Sequence, residues 1–223
     1  MGHPVHRDPT HDTVAPDPDD PGVFVVSLCD TSRMGVVHDT DDVQLAELAA
    51  LIKERNSIDA RLGAILNRPA SIGNIGEWIA AQVFDIDLVS SGSNAAFDGH
   101  FTSGLLAGKT VNVKAYGRQE GLLDVITNPT LDYYLVMTGP KGALKSSKGG
   151  LRPFCIDSVY LFNSKDLLAA LEVTGVKVGV ATSVRAAQWN AAEIFPNSAN
   201  PALVLTELQK SRLAMFESEK GGR

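Results

Sequence analysis

Three polar residues in the middle of the chain have types and spacings that suit chemistry on a phosphate. Asp98, Asn112 and Lys114 lie in AAFDGHFTSGLLAGKTVNVKAYG, residues 95–117, which reads as two strands joined by a glycine-containing turn. A hairpin through TSGLLAG brings Asp98 alongside Asn112 and Lys114. Glu77, twenty-one residues before Asp98, reaches the same point if its helix packs over the sheet. Carboxylates and an amide oxygen are the hard ligands that Mg²⁺ prefers, usually one or two acids with water completing an octahedron. An adjacent ammonium orients an attacking water or stabilises charge developing on phosphorus. Hydrolysis of a phosphodiester needs groups of this kind.

The elements that must position these residues are visible as periodicities. KTVNVKAY alternates, which puts Val111, Val113 and Ala115 towards the core and Asn112, Lys114 and Tyr116 on the other face. Burial of Val111 and Val113 is expected, with Asn112 and Lys114 opening onto a cleft shared with Asp98. In DDVQLAELAALIKERNSIDARLGAILNR, apolar residues recur every three or four positions, predicting one long helix or two joined near Asn56-Ser57, stopped by Pro69. SIGNIGEWIAAQVF predicts a second helix with Ile75, Trp78, Ile79 and Val83 as its apolar stripe. Strands are expected at FDGHF, KTVNVKAYG, LDYYLVMTG, SVYLF and VKVGVATSV, and helices at 164–173, 185–194 and 203–217. This order implies an α/β fold with a central mixed β-sheet flanked by helices.

Charge divides the chain. Of the net −6, residues 1–42 carry −7, with nine aspartates against Arg7 and Arg33, so the remaining 181 residues carry +1. The overall acidity is therefore a weak argument against a DNA substrate. Residues 1–22, rich in Pro and Asp, read as a disordered acidic tail, and 23–223 as a single α/β domain with a short strand at 23–28. His3, His6 and His11 read as part of the solvated tail rather than as a metal site. Cys29 and Cys155 lack metal-ligand spacing, and nothing argues for a disulfide. With no hydrophobic leader at its start and no apolar run near the ~20 residues of a membrane helix, a cytoplasmic protein without membrane contact is expected.

The order of these elements resembles the PD-(D/E)xK nuclease superfamily, the fold of many restriction endonucleases and Holliday-junction resolvases. The resemblance runs through Gly76-Glu77 on a helix, Asp98-Gly99 on a strand, Asn112-Val113-Lys114 on the next, then DYYLVMTGP, over roughly residues 70–140. GEWIAAQVFDIDL also looks like the GE-x-x-A helix of small resolvase-like members. The resemblance implies an Mg²⁺- or Mn²⁺-dependent DNA endonuclease. Asp98 would be a metal ligand, Val113 would offer its carbonyl, Lys114 would be the catalytic lysine and Glu77 the helical acid. Asn112 departs from the pattern, where Asp or Glu is usual, and weakens metal binding by removing a charge. A catalytically inactive DNA-binding member of the same fold is the alternative. Glu120 and Asp124 are near enough in sequence to supply a relocated acid.

Beyond this core, GPKGALKSSKGGLRP, 139–153, carries Lys141, Lys145, Lys148 and Arg152 without an acid. It suits a phosphate backbone as well as it suits a plain solvated loop. Tyr116, Arg118 and Gln119 either contact DNA beside Lys114 or cap a strand. NVK by itself is the pattern of an ordinary solvated strand face. The helix–turn–helix character of IDARLGAILNRPASIGNIGEWIAA lacks base-reading side chains on its second helix. The helix start near Ser183 has no glycine-rich phosphate loop, which argues against an NTPase. The oligomeric state stays open, a homodimer included.

Overall fold

Strand β3 (Thr110–Tyr116) explains most of the architecture, because it has neighbours on both edges and cover on both faces. In the computed structural model, which describes residues 34–89, 97–143 and 152–219 with side chains from Thr40 onward, it is the third strand of a six-stranded mixed sheet. The order is β1 (Ile86–Leu88), β2 (Gly99–Phe101), β3, β5 (Tyr133–Thr138), β6 (Ser158–Asn163) and β8 (Glu193–Phe195). All pairings are antiparallel except β3 with β5, where Val111 to Tyr116 run beside Tyr133 to Thr138. β4 (Leu122–Leu123) and β7 (Thr182–Ser183) form a separate two-stranded ribbon.

The chain divides into two compact units, Met1–Ile52 and Lys53–Arg223. Helix α1 spans Met34–Leu66, one helix without a break at Asn56-Ser57. In the first unit its residues Val43, Leu45, Leu48, Leu51 and Ile52 are exposed. The periodicity thus specified the helix but not a buried face. The second unit holds the sheet.

Helix α2 (Ile72–Phe84) starts where Ser71 caps it, its hydroxyl accepting the Asn74 N–H at 3.2 Å, and ends at Asp85 in the left-handed region. Its stripe buries Ile79 and Val83 against Val111, Val113 and Met137, with Ile75 and Trp78 packed at the margin. Helix α5 (Glu207–Ala214) joins that layer through Leu213. The opposite face is covered by α3 (Ser164–Val173) and α4 (Ala186–Ala192), whose Leu167, Leu171 and Trp189 pack on Tyr134, Val136, Tyr160 and Phe162. Helices on both faces of a mixed sheet make this an α/β fold. No helix among the described residues is long and apolar enough to cross a membrane.

Four expected elements differ. α1 begins at Met34, ahead of the periodic stretch that starts at Asp41, and α5 covers Glu207–Ala214 rather than 203–217. VKVGVATSV yields only β7, because Thr182 turns back to accept from Gly179 N–H and donate to its carbonyl. The helix expected to reach 194 stops at Ala192, since Glu193–Phe195 pairs with β6. The expected tail at 1–22 and the strand at 23–28 lie outside the described residues.

Candidate functional site

Where β2 ends, the backbone of β3 would lose its ladder partner, and a side chain replaces it. Asp98 donates its N–H to the Val111 carbonyl at 2.9 Å, and its Oδ2 accepts the Val113 N–H at 2.7 Å. The second Asp98 oxygen makes no hydrogen bond among the described residues. In extended backbone a residue's N–H and C=O point to the same side. The Val113 carbonyl is therefore aimed past the end of β2, next to the Asp98 carboxylate. Across the ladder from Asp98 stands Asn112, following the register Gly99 to Val111 and His100 to Thr110.

Asn112 does not open onto a cleft as expected; it is 6% exposed, and its Oδ1 is buried with no hydrogen-bond partner. The physical reason is that β3 is covered on both faces, so alternation separates two buried faces rather than core from solvent. Val111 and Val113 are buried as expected, and Lys114 is half-buried, making no salt bridge among the described residues.

Glu77 comes to this place because Gly76 lets α2 sit directly on β3. A Cβ at position 76 would lie 2.6 Å from the Ala115 Cβ, well inside contact. Burial pushes the Glu77 carboxyl above the usual range and the Asp98 charge adds to this, while Arg68 and the Lys114 ammonium oppose it. Burial likewise raises Asp98, opposed by the Val113 N–H, Lys114 and Arg68. Glu77, Asp98 and Lys114 thus share one electrostatic environment. Arg68, which sequence reasoning missed, donates from Nη1 to Glu77 Oε2 at 2.7 Å and reaches the Val89 carbonyl at 3.5 Å. Its clue was positional: it follows Asn67, whose φ of 51° ends α1, and lies in the short link to α2.

The donor set fits a hard cation. It comprises one free carboxylate oxygen of Asp98, the orphaned Asn112 amide oxygen, the Val113 carbonyl and, farther out, Glu77. An unpaired acceptor buried beside a carboxylate is the kind of atom a cation satisfies. Only two acids contribute, and among the described residues no three His, Cys, Asp or Glu side chains gather closely enough to hold a metal ion on their own.

The residues expected to touch DNA are engaged within the fold. The Tyr116 hydroxyl accepts the Asp124 N–H at 3.0 Å, and burial holds its phenol protonated well beyond the usual tyrosine range. Arg118 and Arg152 both approach Glu120, and Lys141 lies 3.5 Å from the buried Glu193 carboxylate and over the Tyr160 ring. Asp124 accepts from the Ala181 N–H at 2.8 Å. Neither Glu120 nor Asp124 is therefore an idle acid. Lys145 and Lys148 lie outside the described residues. A comparison with protein-family models finds no match, and a comparison with curated proteins finds none either.

Proposed function

We propose that this chain is a restriction-endonuclease-like protein that hydrolyses phosphodiester bonds in DNA with the help of Mg²⁺ or Mn²⁺. The single observation that carries this reading is the orphaned, buried Asn112 Oδ1 on the strand position across from Asp98, whose carboxylate feels the charges of Glu77 and Lys114. Asp98, Asn112 and the Val113 carbonyl would hold the ion, with Glu77 acting through water or a second ion. When bound, the ion neutralises charge on the phosphate and lowers the pKa of the attacking water. Asp98 is fixed by the Val113 N–H, so its free oxygen has a defined direction. Lys114 would place its ammonium on a phosphate oxygen, where a positive charge in a half-buried site counts for more than in water. Arg68 engages one oxygen of Glu77 at 2.7 Å and leaves the other for water.

A second reading, DNA binding without cleavage, is favoured by one feature: the Arg68 pair occupies one Glu77 oxygen, leaving Asp98 the principal anionic ligand. Plasmid nicking in Mn²⁺, run beside a gel shift in EDTA, separates the two. Cleavage lost in both Asp98→Asn and Lys114→Ala supports the enzyme. Binding in EDTA with no cleavage in any divalent metal supports the silent binder, and cleavage that survives Asp98→Asn removes the site from the reaction.

A further inference from the structure

Beyond the end of β3 the chain stays zipped to the segment that follows β5. Gln119 N–H donates to the Pro140 carbonyl at 3.1 Å and Gly142 N–H to the Gln119 carbonyl at 3.0 Å. This extension holds Arg118 and Glu120 in place, four and six residues after Lys114. Arg152 reaches in from the start of the segment leading to β6, and its Nη2 lies 3.0 Å from Glu120 Oε1. Arg118 Nε lies 4.0 Å from the same oxygen. Two guanidinium groups therefore converge on one carboxylate oxygen, which is almost wholly enclosed, the Glu120 side chain being 9% exposed.

The fit of this carboxylate is incomplete. At 4.0 Å the Arg118 Nε makes no hydrogen bond, and it is buried without a partner. A buried unsatisfied donor on a charged group is costly to leave. The packing is also specialised: a side chain at Gly142 would run into the Arg118 guanidinium, and one at Gly117 would press on the Arg152 Cβ and carbonyl, from which that side chain reaches in. Two glycines thus clear space around two arginines. A phosphodiester carries the same single charge as a carboxylate but spreads its oxygens tetrahedrally, so it can satisfy donors on both guanidinium groups at once.

We propose that Arg118 and Arg152 form a clamp for a backbone phosphate, and that Glu120 is its internal occupant, displaced when the phosphate enters. The proposal rests on the reading of this chain as a DNA-binding protein, and it adds a subsite and a built-in competitor. An extended chain from Lys114 to Arg118 covers at most about 14 Å, so the clamp grips the strand within a few nucleotides of the scissile bond. The competitor lowers affinity for any single phosphate and leaves binding to ligands that also engage the Asp98–Lys114 site.

The test uses the full chain in EDTA and two probes, a fluorescein-labelled DNA duplex read by anisotropy and inorganic pyrophosphate read by thermal shift. Glu120→Gln keeps the shape and removes the competing charge. It is expected to tighten duplex binding about fivefold and to steepen the log–log salt dependence by about one to two phosphate contacts. It should also widen the pyrophosphate-induced shift, and Arg118→Ala in the same background should cancel both gains. Glu120→Asp, which draws the carboxylate back from Arg152, should fall between wild type and Glu120→Gln and serves if the glutamine variant does not fold. A folded Glu120→Gln protein that binds both probes no better than wild type overturns the clamp. A pyrophosphate response that follows these variants without any duplex binding keeps the clamp and removes DNA as the ligand.

Discussion

Asp98 completes the edge of β3 with its side chain: its Oδ2 takes the Val113 N–H at 2.7 Å, where a neighbouring strand would otherwise supply a carbonyl. One carboxylate thereby ends a β-ladder and keeps its other oxygen out of that bond, on the strand position across from Asn112. Replacement by Ala removes both; replacement by Asn keeps an acceptor for Val113 and removes only the charge. Asp98→Asn should therefore melt within about 1 kcal/mol of wild type while losing divalent-metal binding, and Asp98→Ala should lose about 1–3 kcal/mol as well. Urea unfolding beside Mn²⁺ titration checks the split; equal metal binding in Asp98→Asn and wild type contradicts it.

Asn112→Asp inverts the usual expectation for a buried charge. Without metal, a second carboxylate at a site 6% exposed and facing Asp98 should cost about 1–3 kcal/mol. With Mn²⁺ at about a hundred times its Kd, the stability gain from binding should be about 2.7 kcal/mol, and cleavage should rise. Melting curves in EDTA and in Mn²⁺ measure this. A variant destabilised equally in both conditions would show that no ion sits between positions 98 and 112.

The two raised carboxyls set the sign of a pH effect. Glu77 and Asp98 are both held above the usual range by burial, so the folded state binds protons more tightly than the unfolded chain. From the ordinary carboxylate value of about 4 up to the raised values, stability must fall as pH rises, and above that window their full cost is present. Asp132 has the opposite sign. Burial works against it, but the Thr110 N–H and Lys109 hold it low, so its contribution is present above about pH 4 and lost as pH falls below. Acidification from pH 7 should first raise the melting temperature and then lower it. The double variant Glu77→Gln/Asp98→Asn should lose the rise, and metal affinity in the wild type should weaken through the same window as protons compete.

Arg68→Ala frees Glu77 from the group that lowers its pKa. Its titration should move up, extending the pH window just described, and stability at pH 7 should fall by about 1 kcal/mol for a partly exposed pair. NMR titration of the Glu77 side chain reads the shift directly, and a downward movement would mean Arg68 is not its partner in solution.

Tyr134→Phe tests the opposite face. The Tyr134 hydroxyl accepts the Ile126 N–H and donates to the Ile126 carbonyl, both at 2.9 Å, tying the stretch after β4 to the sheet. Losing it strands two backbone groups and should cost about 1–3 kcal/mol, seen as a lower urea midpoint.

Long periodic stretches were legible in the sequence; short pairings were not. α2, β3, β5, β6 and α3 stand where alternation or helical spacing put them, because each buries a face against several neighbours. β1, β4, β7 and β8 are two or three residues long, too short for a period, and exist only because a longer strand or a loop offers an edge. The order of the elements anticipated that Glu77, Asp98 and Lys114 would feel one another's charge, as they do. The burial of Asn112 did not follow from order, since it depends on Tyr134 beside it on β5 and on the apolar cluster built around that residue. The Arg152–Glu120 and Lys141–Glu193 pairs are long-range, and Arg68–Glu77 bridges the turn between two helices, so no periodic pattern announces them.

The close seat of Gly76 against Ala115 makes a methyl group at either position act as a shim between helix and sheet. Adding one at 76 must lift α2, and the residue that travels with it is Glu77. Moving the methyl across, with alanine at 76 and glycine at 115, keeps the gap as it was. The distance from the helical acid to the lysine and the strand acid is thereby gauged by two side chains that hold no polar atom. At the proposed cation site, the preference between a smaller and a larger divalent cation would be adjustable by changes that leave every charge untouched.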